Sequence, residues 1–132
     1  MRHRAAAIII RNNQLLVIHR KKPGRDYYIL PGGGLEPDES FPDACIREVK
    51  EETGLDVIGL QLVHKFINDG SEEYYFLTRV PEGEPILGGS EAERQSPRDI
   101  FILEWVGAVE LARINLLPSA ARRICMEYVQ KA

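Results

Sequence analysis

Three glutamates, Glu48, Glu51 and Glu52, lie in the run Arg47-Glu48-Val49-Lys50-Glu51-Glu52. On a helix they fall within about one turn of each other, where like charges repel and are costly unless cations neutralise them. Oxygen-only ligand sets suit hard divalent ions, magnesium first and manganese as the alternative. Such ions in turn suit phosphate chemistry. Just upstream, Gly32-Gly33-Gly34 provides backbone that can approach an ion or a phosphate closely. The bland alternative is an ordinary solvated helix face, with Arg47 and Glu51 as an i,i+4 ion pair. A solvated face does not account for the three glycines.

Residues 33–55 resemble the signature of the Nudix hydrolases, G-x5-E-x7-R-E-U-x-E-E-x-G-U, where U is a bulky aliphatic residue. Gly33, Glu39, Arg47, Glu48, Glu51, Glu52 and Gly54 fill the fixed positions, and Val49 and Leu55 the aliphatic ones. From average residue usage, a chance match at a given start is on the order of one in a billion. The resemblance implies hydrolysis of the pyrophosphate bond in a nucleoside diphosphate linked to another group. It implies Glu48 and Glu52 as principal metal ligands, Glu51 as a third, and the carbonyl of Gly32 as a further one. Arg47 is then the arginine that orients the glutamates through charge-assisted hydrogen bonds. Glu39 matches a glutamate close to the metal site, and Gly33 the motif's first glycine beside the bound substrate. One departure stands out: many members carry Gly before the first motif glutamate, and here it is Asp38. A turn with φ > 0 tolerates Asp, though less well than Gly.

The chain has 132 residues, enough for one domain spanning 1–132 and too few for two. A formal net charge of −3 argues against general nucleic-acid binding, which calls for a basic face. There is no apolar run of membrane-spanning length. The basic-then-apolar start, Met1 to Ile10, is interrupted by Arg11-Asn12-Asn13, so a first strand is expected there instead of a signal peptide. Two cysteines, Cys45 and Cys125, make no disulfide framework and read as reduced, buried small hydrophobes. A cytoplasmic setting is expected.

The elements that must position the glutamates follow from pattern. Runs 5–10 and 14–19 are apolar and joined by a hairpin-like turn. Residues 27–30 form a short strand running into the glycines. The helix should begin near Ser40, capped by that hydroxyl with Asp43 three residues on, and end at Gly54. Phe41, Cys45, Val49 and Ile46 are its expected buried stripe, with the three glutamates on a different face. Residues 57–67 and 73–80 read as strands around an Asn-Asp-Gly-Ser turn, 100–106 as another strand, and 119–129 as a helix capped by Ser119. This intermixing of strands and helices without βαβ alternation predicts an α/β fold of mixed sheet and flanking helices. It agrees with the α/β/α sandwich that the resemblance implies.

Residues 81–99 form a long polar segment, a length that marks either function or disorder. The resemblance implies that a glutamate of such a loop reaches the metal site, with Glu91 the first choice and Glu93 the second. The general base is then either Glu48 or Glu91. Arg20, in the basic run His19-Arg20-Lys21-Lys22, can fork onto substrate phosphates, and Tyr28 can stack on a base or ribose or pack in the core. The expected partner is a small nucleotide, either a nucleoside triphosphate, ADP-ribose or another nucleotide sugar, and a homodimer is a family-level expectation. The alternative from another class is a catalytically silent domain of the same family, serving as nucleotide sensor or interaction module. Retention of every motif carboxylate counts against it.

Overall fold

The computed structural model describes residues 1–130. Its elements run β1 Arg2–Arg11, β2 Gln14–Lys22, β3 Arg25–Ile29, β4 Gly32–Gly34, α1 Phe41–Thr53, β5 Gly59–Asn68, β6 Ser71–Arg79, α2 Gly89–Glu93, β7 Ile100–Val106, α3 Ala108–Leu111, β8 Leu116–Leu117 and α4 Ala120–Gln130. Asn12 and Asn13 both adopt positive φ, 51° and 62°, as a two-residue hairpin turn of matching twist requires. Asp69 and Gly70 do the same between β5 and β6, with φ of 48° and 73°.

The eight strands form one curled, mixed sheet along the path β5-β6-β1-β2-β3-β8, with β4 added on β1 and β7 on β2. β1 runs parallel to β6 and antiparallel to β4. It meets β2 only at the hairpin end, through Ile10–Leu15 and Arg11–Gln14. The sheet therefore splays into two halves, and the glycine strand β4 lies on the half that also carries β6.

Strand alternation distributes the core to both faces. Ala5, Ala7 and Ile9 of β1 meet Ala44, Cys45 and Val49 of α1. Ile8, Leu15, Val17 and Tyr75 meet Ala121, Ile124, Cys125 and Val129 of α4. Fully burying each large aliphatic side chain contributes about 1.5–3 kcal/mol. Both cysteines are free and buried, and burial pushes the Cys45 thiol up to about 11. No helix among the described residues is long and apolar enough to cross a membrane.

Two expectations for α1 are corrected. Ile46 is 41% exposed and does not belong to the buried stripe, because Ala44 takes the place facing the sheet. The three glutamates do not share one face. Glu52 is 3% exposed and belongs to the buried side, whereas the Glu51 side chain is 49% exposed.

Candidate metal and pyrophosphate site

Helix α1 is fixed at both ends. The Ser40 hydroxyl accepts from the Asp43 N–H at 3.2 Å. Gly54, at φ 75°, donates its N–H to the Lys50 carbonyl. Between these caps the helix lies against β4, and Glu48 and Glu52, four residues apart, point at the glycine strand. The Gly32 N–H donates to Glu52 Oε1 at 2.8 Å. At Gly33, an added Cβ would lie 2.6 Å from Glu48 Oε1. At Gly32, with φ of 156°, it would lie 2.3 Å from the Ala5 carbonyl oxygen. Gly33 thus lets the Glu48 carboxylate sit directly on backbone, and Gly32 lets β4 close on β1.

Arg47 holds the outer side. Its Nε and Nη2 donate to the two oxygens of Glu39 at 2.8 and 2.9 Å, its Nη1 to Glu48 Oε1 at 2.8 Å, and its Nη2 to the Gly34 carbonyl at 3.1 Å. The fork holds Glu39 at about 2, with the Glu36 backbone N–H assisting. Glu51 stays on the rim, 3.5 Å from Arg47 Nη1. Asp38, where a glycine was expected, takes φ of 64° in the turn leading to Glu39, which is the conformation that such a glycine serves.

The segment 81–99 is anchored on the C-terminal carbonyls of α1. The Ile86 N–H donates to the Thr53 carbonyl at 2.9 Å, and the Gly88 N–H to the Glu52 carbonyl at 3.0 Å. Helix α2 starts directly afterwards and brings the Glu91 carboxyl into hydrogen-bond contact with that of Glu52. Glu93 is exposed. Burial, then the charges of Glu91 and Glu48, push Glu52 up to about 9, against the opposing pull of the Gly32 N–H. Burial also raises Glu48, with Arg47 opposing it. Two carboxyls can share a hydrogen bond only if one carries a proton, which agrees with the direction for Glu52.

Among the described residues, no three acidic, imidazole or thiol side chains surround one point at metal-ligand distance. Arg47 and the Gly32 N–H take up oxygens that an ion would claim. The fit to a divalent ion rests on the donor set instead: hard oxygens, more carboxylate than cation, and burial that makes uncompensated charge costly.

The other expected site residues lie elsewhere in the polar structure. Arg20 forks onto Asp99, with Nε and Nη2 each 2.9 Å from a carboxylate oxygen, and donates from Nη1 to the Tyr27 hydroxyl at 2.8 Å. Tyr28 stacks on His19 with ring centroids 3.9 Å apart. Neither engages the glutamate cluster through these contacts. Reading the sequence missed a cleft of about 530 Å³ that starts at Gly32 and Glu91 and continues past Arg4 and Glu73. Its signal was available: in Ser71-Glu72-Glu73-Tyr74-Tyr75, alternation places a charged residue on the same face as core Tyr75.

The family model for the NUDIX domain matches residues 1–126. An ADP-ribose pyrophosphatase of Methanocaldococcus jannaschii is 47% identical over 93% of this chain and 70% of its own length. Nudix hydrolase YvcI of Bacillus subtilis is 32% identical over 77% of the chain, and the match spans 65% of YvcI, just under two thirds. Among solved structures, a NUDIX-family hydrolase from Clostridium perfringens superposes with a TM-score of 0.76 at 18% identity, covering 98% of this chain and 97% of that one. A structure from a study of MutT from Aliivibrio salmonicida and Vibrio cholerae gives 0.75 at 22% identity, covering 99% and 98%. At those identities the structures speak for the fold, and the matched domain and the archaeal relative speak for descent: the chain belongs to the Nudix hydrolase family.

Proposed function

We propose that the protein is a divalent-metal-dependent pyrophosphohydrolase that cleaves a nucleoside diphosphate linked to another group, with ADP-ribose the first substrate to try. One observation carries this reading. Glu52 is 3% exposed and hydrogen-bonded to Glu91, and burial with the charges of Glu91 and Glu48 pushes its carboxyl up to about 9. Buried, mutually repelling carboxylates are unfavourable in isolation and are retained where a cation answers them. The choice of ADP-ribose follows the name of the 47% identical relative.

Glu48 and Glu52 would hold the ion, with the Gly32 carbonyl as a further ligand and Glu51 contributing from the rim through water. Once bound, a divalent ion offsets the phosphates' negative charge and makes bound water more acidic. The remaining work falls to the chain. Arg47 keeps Glu48 and Glu39 oriented through three short hydrogen bonds and is itself tied to the Gly34 carbonyl. The anchored 86–88 backbone keeps Glu91 beside Glu52. Glu48, engaged by Arg47, and Glu91, engaged by Glu52, are the two groups placed to accept a proton from attacking water.

The test is a nucleotide panel, including ADP-ribose and nucleoside triphosphates, incubated with magnesium, with manganese and with chelator, in oxygen-18 water. The expected result is metal-dependent release of a nucleoside monophosphate, with one labelled oxygen either on it or on its co-product, a sugar phosphate or pyrophosphate. Tight nucleotide binding without any cleavage would instead support a sensor.

A further inference from the structure

The cleft beginning at Gly32 and Glu91 runs over the sheet face opposite α1. Its walls come from β1, β6, the β5–β6 turn and the start of α4. At about 530 Å³ it has the size of a small-molecule site. Its composition separates the two halves of a nucleotide. Arg2, Arg4, Asn68, Asp69, Glu73 and Ser119 line it. Tyr75 is the one aromatic ring among the described lining residues, and it is 1% exposed, so no open ring face awaits a base. Bases are generally gripped by such faces. A ring-poor cleft in which these polar groups alternate with Ile29, Leu30, Leu117 and Pro118 suits a sugar, which carries hydroxyls at its edge and C–H groups on its face.

Glu73 is the residue that stands out in it. It lies on the core-facing side of β6, is 5% exposed, and its ion pair with Arg4 Nε is long, at 3.9 Å. A carboxylate only accepts hydrogen bonds, so the ligand group that reaches it must bring donors. A vicinal diol brings two O–H donors to two carboxylate oxygens, the way acidic residues hold ribose in dinucleotide sites. Gly32, Ala6 and Tyr75 are in register across β4, β1 and β6. Strand spacing and rise then put the Glu73 backbone about 12 Å from Gly32. The Glu73 side chain shortens that gap to the reach of a pentose attached to the second phosphate.

We propose that Glu73, held by Arg4, receives the vicinal hydroxyls of the terminal, base-free sugar of a nucleoside diphosphate sugar, and so selects these substrates over those without that sugar. The proposal rests on the pyrophosphohydrolase reading above and adds the group that chooses the substrate.

Steady-state kinetics with magnesium would compare ADP-ribose with the analogue whose terminal sugar lacks the 2-hydroxyl. A site built around a hydroxyl rejects the analogue lacking it strongly, so wild-type kcat/KM should favour ADP-ribose by at least about 100-fold. In Glu73→Gln that ratio should shrink at least about tenfold, through a higher KM for ADP-ribose, while the analogue falls far less. Glu73→Leu, which packs toward Tyr75 without any acceptor, should shrink it further, with thermal unfolding as the check on its fold. A purely structural Glu73 would depress both substrates alike. A wild-type ratio near one, or a ratio unchanged in both variants, overturns the proposal. Failure of the underlying reading looks different: wild type would then release no product from any nucleotide, and both would fall together.

Discussion

Two dense clusters of charge sit on this sheet, and they are built on opposite terms. On β2, β3 and β7 the two inward cations, His19 and Arg20, both have acidic partners. Arg20 forks onto Asp99, and His19 lies with Nδ1 2.5 Å from Glu104 and Nε2 2.5 Å from Asp26. On α1 and α2, Glu48, Glu52 and Glu91 bring like charges together, and Arg47, which donates to Glu48, is shared with Glu39. The balanced cluster ties three strands together across long sequence separations. The unbalanced one is worse than neutral for folding, since burying like charges opposes the native state. What distinguishes function from structure here is like charge gathered where water is scarce, not charge density. Substitutions in the unbalanced cluster should therefore damage activity and spare stability, and those in the balanced cluster the reverse.

The largest effect is expected at Glu52. Charge stabilisation of a phosphoryl transition state by a held ion is worth several kcal/mol, so Glu52→Gln should lower kcat by at least about 10³-fold. The same change removes a buried carboxyl that resists ionisation, so chelator-treated protein should melt no lower than wild type. Circular dichroism melting beside a rate assay reads both. Loss of activity together with loss of the fold would erase the contrast. A step down in size is Gly33→Ala. A methyl 2.6 Å from Glu48 Oε1 must push that carboxylate off the backbone, and a displacement of about 1 Å costs on the order of 100-fold in rate. Wild-type kcat in this variant would show that Glu48 need not touch the glycine strand.

Much of the unbalanced cluster was legible in advance. The offsets from Gly33 to Gly54, the Ser40 cap and the two hairpin turns are local patterns, and local patterns survive into the fold. Spacing could pair Glu48 with Glu52, but not tell which of them is buried, because that depends on where β4 lies against the helix. The approach of Glu91 depends on two backbone bonds from 86 and 88 to the end of α1, which leave no trace in composition. The pairings of the balanced cluster were hidden for the same reason: nothing in the basic run around Arg20 announces that the fold brings in Asp99, 79 residues later. The two-residue β8 exists only because it docks on β3.

The charge imbalance also sets a pH dependence whose sign is unusual for a carboxylate. Glu52 sits at about 9 in the fold against an ordinary value of 4.5, so the folded chain binds the extra proton throughout that window. Stability of the metal-free protein is then fully present below about 4.5 and declines as pH rises toward 9, by up to about 1.4 kcal/mol per unit. Glu39, lowered to about 2, acts in the opposite direction but only below its ordinary 4.5, outside this window. An ion competes with the proton on Glu52, so magnesium affinity should rise by up to about tenfold per pH unit over the same range. Urea unfolding in chelator at pH 6, 7 and 8, paired with magnesium titrations, tests both halves. Metal-free stability that stays level across these values would mean Glu52 is already ionised in the fold.

The smallest expected effect belongs to the balanced cluster, at Arg20→Met. The guanidinium lies 4.6 Å from the centre of the Phe101 ring, and burial of the methionine chain would preserve much of that packing. What goes is the fork onto Asp99, which holds that carboxyl below its usual range and ties β2 to the segment preceding β7. A melting temperature lower by a few degrees is expected, and added salt should narrow the gap between variant and wild type, because it weakens the ion pair only where the pair exists. The Michaelis constant for the best nucleotide should stay within about threefold of wild type, since rim charges away from the reacting phosphates contribute little once screened. A large rise in KM with an unchanged melting temperature would move Arg20 from the balanced set to the substrate's phosphates, and the division between the two clusters would have to be redrawn through β2.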